Sequence, residues 1–108
     1  VFISAMDHAR FGLLFLNEGQ WKGEQIISKD WVEAVQVSSK PNPSYGYMWW
    51  LNRGRRKWKG VDDESIYFGA GFGGNFVVVD KKNDMVIVTR WLEPNKIGEM
   101  VRLVQESL

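Results

Sequence analysis

FGAGFGGNFVVVDKKNDMVIVTRW, residues 68–91, is the stretch on which the fold turns. NFVVVD and DMVIVTRW are rich in β-branched and aromatic residues, which suit a pleated, covered surface. The polar KKND between them has hairpin length, so the two segments read as adjacent antiparallel strands. Ahead of them Gly69, Gly71 and Gly74 spell G-x-G-x-x-G. A dinucleotide loop of that spelling needs a helix after the glycines, because the helix N-terminus holds the pyrophosphate. Here the glycines run into a strand, and the nucleotide reading fails. A kinase-type glycine flap also lies between strands, but it requires a V-A-I-K lysine on the next strand and later H-R-D and D-F-G elements. The next strand offers Arg90 and no such lysine. What remains is a bulge or a close backbone approach at the strand start.

Working outward, IYF at Ile66–Phe68 reads as a further strand. YGYMWWLN at Tyr45–Asn52 reads as one strand, with Tyr45, Tyr47, Trp49 and Leu51 on one face and Gly46, Met48 and Trp50 on the other. Ser4 and Asp7 have capping-box spacing, and the apolar positions Met6, Ala9, Leu13 and Leu16 predict a helix over about Ala5–Asn17, stopped near Gly19. WKGEQIIS reads as a turn and a short extended piece. Ser28 caps a second helix, KDWVEAVQV, ended by Pro41 and Pro43. Ile97, Met100, Val101, Val104 and Leu108 form the stripe of a last helix. The fold class is α+β: an antiparallel sheet of three to four strands packed against helices.

The chain has 108 residues, 44% hydrophobic and 25% charged, which bounds it to one small globular unit and excludes disorder. A formal charge of +1 gives no global attraction to nucleic acid or anionic membrane. No apolar run has bilayer-spanning length, so no membrane partner is expected. Cysteine is absent, which removes disulfides and thiolate metal sites. His8, the single histidine, has no second ligand cluster beside it and reads as a surface or half-buried helix residue. No metal or cofactor is expected. The opening VFISAMD has no polar leader, and the expectation is a piece of a longer polypeptide or a trimmed one.

Four segments together resemble class C beta-lactamase-like serine hydrolases, a group that includes penicillin-binding proteins and esterases. FISAMDHARFGLLFLNEGQWKGEQIISKDWVEAV is similar to the segment after their active-site region. YGYMWWLN resembles their next aromatic strand, FGAGFGGNFVVVDKKNDMVIVTRW their closing hairpin and IGEMVRLVQESL their last helix. Residues 1–108 would then form a single segment, the C-terminal part of that fold. The resemblance implies acyl transfer by a nucleophilic serine in S-x-x-K, a tyrosine in Y-x-N or Y-x-S, and a third element such as K-T-G or H-x-G. None of the chain's serines has a lysine three positions on, and none of Tyr45, Tyr47 and Tyr67 begins the second element. Both would lie upstream, and this chain alone is expected to be inactive.

By similarity Gly69, Ala70 and Gly71 occupy the third element, expected at the start of the strand after the glycine loop. Gly69 stands where Lys or His often stands and Ala70 where Thr or Ser stands, so carboxylate recognition of the penicillin type is not implied. Gly71 matches the small residue that lets substrate lie along the strand edge. The Phe72 N–H matches the strand-borne oxyanion donor, a role that needs no particular side chain. Gly73 and Asn75 complete the expected substrate-binding set. The expected partner is the missing N-terminal part of the parent, whose strands belong to the same sheet. Without them, apolar surface around the tryptophans and a strand edge should be exposed, favouring self-association or strand swapping. Export, common in the family, implies a periplasmic or extracellular parent.

Two other readings compete. The chain could be a non-catalytic interaction module derived from the same fold, which the substitutions Gly69 and Ala70 favour. Alternatively Arg53, Arg55, Arg56, Lys57 and Lys59 around Trp58 could hold single-stranded nucleic acid. Asp62, Asp63 and Glu64 neutralise that run, so a solvated loop and no nucleic-acid partner is the expectation. A stacking platform of Tyr45, Tyr47, Trp49 and Trp50 is set against the simpler account of buried strand residues.

Overall fold

The computed structural model of the chain describes residues 3–52, 58, 61 and 63–108. Its order is α1 (Ala5–Leu16), β1 (Gln20–Trp21), β2 (Glu24–Gln25), α2 (Lys29–Ala34), β3 (Tyr45–Gly46), β4 (Trp49–Leu51), β5 (Tyr67–Gly71), β6 (Asn75–Asp80), β7 (Met85–Thr89), a 3-10 turn (Pro94–Lys96) and α3 (Ile97–Glu106). β3 to β7 form one antiparallel sheet in sequence order, and β1 with β2 a separate small hairpin. The basic run Arg53–Lys57 with Lys59, and Asp62, lie outside the described residues. Trp58 within that run is buried and stacks on Phe68 at 4.3 Å, so its ring is core rather than an exposed platform.

Both helix starts follow their caps. The Ser4 hydroxyl accepts the Asp7 N–H at 3.1 Å and the Ser28 hydroxyl accepts the Trp31 N–H at the same distance, each satisfying an orphan amide of a first turn. α2 is shorter than its sequence pattern suggests: it stops at Ala34 and gives way to a turn before the prolines.

The sheet is covered on both faces, which explains why β6 is apolar without alternation. Val77 and Val79 point into a core with Phe15, Leu16, Val32, Val35, Trp49, Leu51 and Tyr67, under α1 and α2. Phe76 and Val78 point the other way, into Trp58, Val61, Ile66, Phe68, Ile87, Ile97 and Val101, under α3. Asp80, fully buried at the end of β6, accepts from the Asn83 backbone and side chain and from Gln105 Nε2. One carboxylate thus fixes the Lys81–Asp84 turn and ties α3 to the sheet.

The sheet has five strands, not three to four, because Tyr45–Asn52 is not one strand. β3 and β4 pair Tyr45 with Trp50 and Gly46 with Trp49, and the chain reverses at Tyr47–Met48 with Met48 at φ 68°. Tyr45 therefore shares a face with Trp50, at 4.7 Å, and not with Trp49. Methionine is an uncommon residue for a left-handed turn position, so the turn carries no sequence signal. Gly46 is glycine because β3 lies on the end of α2: a Cβ there would sit 2.5 Å from the Val37 carbonyl oxygen and 2.6 Å from that of Val35. Of the proposed aromatic platform, Trp49 is buried, while Tyr47 turns outward to meet Trp31 at 5.2 Å.

α1 lies close on the sheet for a similar reason. A Cβ on Gly12 would stand 2.6 Å from Val86 Cγ1 and 2.8 Å from Val77 Cγ2, both on stiff β-branched side chains held in strands. Substituting Gly12→Leu is expected to lift the helix and lower stability by about 1–3 kcal/mol, read as a drop in the urea midpoint of the chain. An unchanged midpoint would show that α1 does not depend on this contact.

Candidate functional site

The strand-and-turn segment Gly69–Asn75 divides its glycines between two jobs. Gly69, Ala70 and Gly71 end β5, ahead of the turn and not at the start of the following strand as the sequence pattern suggested. On one side they pair with β6: Gly69 with Val77, Ala70 with Phe76, Gly71 with Asn75. On the other side β4 reaches only as far as the Trp50–Phe68 and Leu51–Tyr67 pairs. Among the described residues, then, Ala70 and Gly71 have no strand on that edge and are exposed, while Gly69 is half-buried.

Gly73 and Gly74 belong to the fold. Both have positive φ, 83° and 75°. A Cβ on Gly73 would stand 2.6 Å from the Trp91 ring, and one on Gly74 would run into the Leu92 carbonyl. Gly71 differs. It has no left-handed φ, and a Cβ there would meet only Asn75, its backbone oxygen at 3.6 Å, which is ordinary contact. Nothing among the described residues requires position 71 to be glycine.

The turn itself is fastened at three points. Asn75 Nδ2 donates to the Phe72 carbonyl at 2.7 Å, while Thr89 Oγ1 at 3.1 Å and the Leu92 N–H at 3.3 Å both donate to the Gly74 carbonyl. Asn75 Oδ1 is buried with no partner among the described residues. These bonds fix the Phe72 and Gly74 carbonyls within the turn. The Phe72 side chain is 99% exposed. Thr89, Trp91 and Leu92 are the contributors that sequence reasoning missed. Trp91 adopts φ 56°, a position no residue pattern advertises for a tryptophan.

On the α3 side of the sheet a groove of about 790 Å³ runs past Ala70 and Gly71, floored by Trp50, Phe68 and Phe76, with Glu99 and Arg102 at its α3 wall. Those charges are already engaged: Arg102 with Glu106 at 2.7 Å and Glu99 with Lys96 at 3.8 Å. No group of three metal-ligating side chains occurs among the described residues. His8 is half-buried on α1, its Nδ1 without a partner among the described residues. Burial first, and the Arg90 charge second, hold it below the usual imidazole range, so it is neutral near pH 7. Burial pushes the Tyr67 hydroxyl above its ordinary range. Sealed in the core and firmly protonated, Tyr67 is no catalytic base.

No protein-family model matches the sequence. The chain is 28% identical over 110 residues to the 6-aminohexanoate-dimer hydrolase of Paenarthrobacter ureafaciens, an alignment that takes in 88% of this chain and 26% of that protein. Its structure superimposes with a TM-score of 0.68 on a Bacillus anthracis protein named as a proposed 6-aminohexanoate-dimer hydrolase, at 24% identity, covering 95% of this chain and 28% of the other. The chain spans about a quarter of the length of these relatives. Both names belong to serine hydrolases of the beta-lactamase fold, so the chain has a beta-lactamase-like relationship at low identity, and nothing singles out the class C branch.

The division of the glycines is testable by stability alone. Gly74→Ala is expected to cost about 1–3 kcal/mol or more through backbone strain and collision with Leu92. Gly71→Val should leave the urea midpoint unchanged or raise it, because a β-branched residue suits a strand. If the two substitutions cost the same, Gly71 is structural and the distinction fails.

Proposed function

We propose that this chain forms one wall of the acyl-transfer cleft of a beta-lactamase-fold serine hydrolase, whose nucleophile lies in polypeptide outside these 108 residues. The observation that carries the reading is the Ala70–Gly71 edge: exposed, with no strand beside it among the described residues, and glycine at position 71 without an internal reason. An edge of that kind offers backbone donors and acceptors to an extended substrate, and the missing Cβ lets the substrate backbone come close. A serine from the rest of the protein would attack a substrate carbonyl. The oxyanion formed would accept hydrogen bonds from the serine's own amide and from Phe72 N–H. Collapse of that intermediate expels the amine or alcohol, which takes up a proton, and water then releases the acid from the acyl-serine. With glycine at 69 and alanine at 70 the edge carries no cation or hydroxyl, which favours linear amides or esters over substrates held by a carboxylate of the penicillin type. The similarity to 6-aminohexanoate-dimer hydrolases points the same way.

The rest of the protein also has a place to join. β7 pairs with β6 on one edge and with no strand on the other among the described residues. Its sequence MVIVT carries none of the charges or prolines that protect a natural edge, and helices cover both of its faces. On α1, Phe11 and Phe15 reach Trp49, while Met6 and Leu13, on the opposite flank, are exposed. On α3, Gly98 meets Trp58, while Met100 and Leu103 on the far flank are exposed. An apolar slot between two helices thus extends beyond β7, suited to a strand with apolar residues on both faces. The same slot favours the second reading, a binding module that recruits a partner strand without catalysis.

Two outcomes are expected. The full polypeptide should hydrolyse a p-nitrophenyl ester or a linear amide dimer, the isolated chain should not, and Gly71→Val in the full protein should lower kcat/KM about a hundredfold by displacing the substrate. Turnover by the isolated chain equal to that of the full protein would refute a nucleophile placed elsewhere. Inactivity of the full protein toward both substrate types would leave the binding-module reading. The isolated chain should also self-associate through β7 in light scattering, and Leu13→Lys, on the exposed flank of α1, should return it to monomer. A clean monomer at high concentration counts against an open strand edge.

A further inference from the structure

Residues directly opposite in a sheet share a face, and so do residues two apart on one strand. In the register of β4 to β6, Trp50 lies opposite Phe68, and Ala70, two residues beyond Phe68, lies opposite Phe76. The four form a patch on the α3 face of the sheet, three aromatic side chains and one methyl. Phe68 is buried, with Trp58 stacked on it at 4.3 Å, and its ring centre stands 6.1 Å from that of Phe76. Ala70 is exposed. On the β4 side the same register would bring Met48 beside Ala70, but Met48 is at the reversal, with φ 68°, and is 83% exposed. At Ala70 the side-chain layer is therefore one large residue short. The groove of about 790 Å³ runs through that gap, with Trp50, Phe68 and Phe76 among its walls.

We infer that this gap receives a neutral aromatic group of the substrate, a ring carried by the ester or amide and seated over the Ala70 methyl. The inference rests on the cleft reading of the Ala70–Gly71 edge and adds a substrate class to it. Continuity places the ring: Ala70 and Gly71 line the groove as well as the edge, so a substrate lying along the edge passes the groove's mouth. The walls select the group. Aromatic rings gain from offset or edge-to-face contact with other rings, beyond what burial alone supplies. Glu99 and Arg102, the two charged residues of the lining, are engaged by Lys96 and Glu106. A charged group entering the groove would shed water without finding a free counter-charge in that lining, whereas a neutral ring sheds it at a gain. Alanine at position 70 then has the same kind of cause as glycine at 71, room left for a ligand.

The test uses the full polypeptide that carries this segment and a set of simple esters followed by acid release. Methyl acetate is the reference. Benzyl acetate and methyl phenylacetate place a ring on either side of the scissile bond, and cyclohexylmethyl acetate and methyl cyclohexylacetate are their saturated counterparts. Each kcat/KM is divided by that ester's own rate of alkaline hydrolysis, which removes differences in intrinsic reactivity. On at least one side the aromatic ester should exceed methyl acetate at least about tenfold and its saturated counterpart about two- to tenfold. Ala70→Phe, which fills the gap with a ring of the protein's own, should lower the aromatic-to-methyl ratio at least about tenfold. Trp50→Leu should bring the aromatic-to-saturated ratio toward one. Both ratios are read within each variant, so a general loss of activity does not disturb them. Hydrolysis of methyl acetate with no gain from a ring on either side overturns this inference and leaves the cleft reading standing. So does an aromatic-to-methyl ratio that Ala70→Phe leaves unchanged, since the ring would then be seated elsewhere. No turnover of any ester or amide by the unaltered protein overturns both.

Discussion

Four consecutive residues, Phe76–Val79, serve two cores at once, and the remainder of the structure is arranged around that demand. A strand apolar on both faces must lie inside a sheet with a layer on each side. α1 with α2 supplies one layer and α3 the other. β6 thereby fixes β5 and β7 as its neighbours, and Asp80 at its end locks the turn and α3 in register. Because β5 is tied along its whole length to β6, its other edge is free to do something else where β4 runs out. The candidate cleft is a consequence of unequal strand lengths on a rigid centre.

Much of this was legible in the sequence. The two serine caps, the Val- and Ile-rich hairpin and the apolar stripe of the last helix each rest on a local physical preference that tertiary packing reinforces. The hairpin at Tyr45–Leu51 was not legible, because its reversal uses Met48 in a left-handed conformation where Gly or Asn would have signalled a turn. Reading it as one strand put Tyr45 on the wrong face and left the sheet a strand short. The end of β5 was hidden for a related reason: Gly69 and Gly71 look like loop residues, and glycine weakens any strand prediction.

In the candidate site, identical residues hide different causes. Gly73 and Gly74 are glycine because φ is positive and because Trp91 and Leu92 lie against them. Gly71 is glycine for no reason inside the described chain. A sequence cannot separate these cases, since the constraint on the first pair comes from residues some 18 positions away, while the constraint on Gly71, on our reading, comes from a substrate. The clamp formed by Thr89, Trp91 and Leu92 was equally silent. A threonine at a strand end and a tryptophan after it announce nothing until the sheet brings β7 beside the turn.

The two unsatisfied edges of the sheet differ in kind, and that difference argues for their separate uses. β7 has no strand on its outer side among the described residues and is rich in apolar side chains on both faces, beside helices with exposed apolar residues on their outer flanks. Closing it would be driven chiefly by burial of surface, a large and permanent gain. The Gly69–Gly71 edge has almost no side chain to bury. What it offers is backbone hydrogen bonding in a fixed frame, and hydrogen bonds exchanged with water contribute only about 0.5–1.5 kcal/mol each. An edge that binds weakly and without side-chain selectivity suits a ligand that must leave after each cycle. Selectivity has then to come from groups outside that edge.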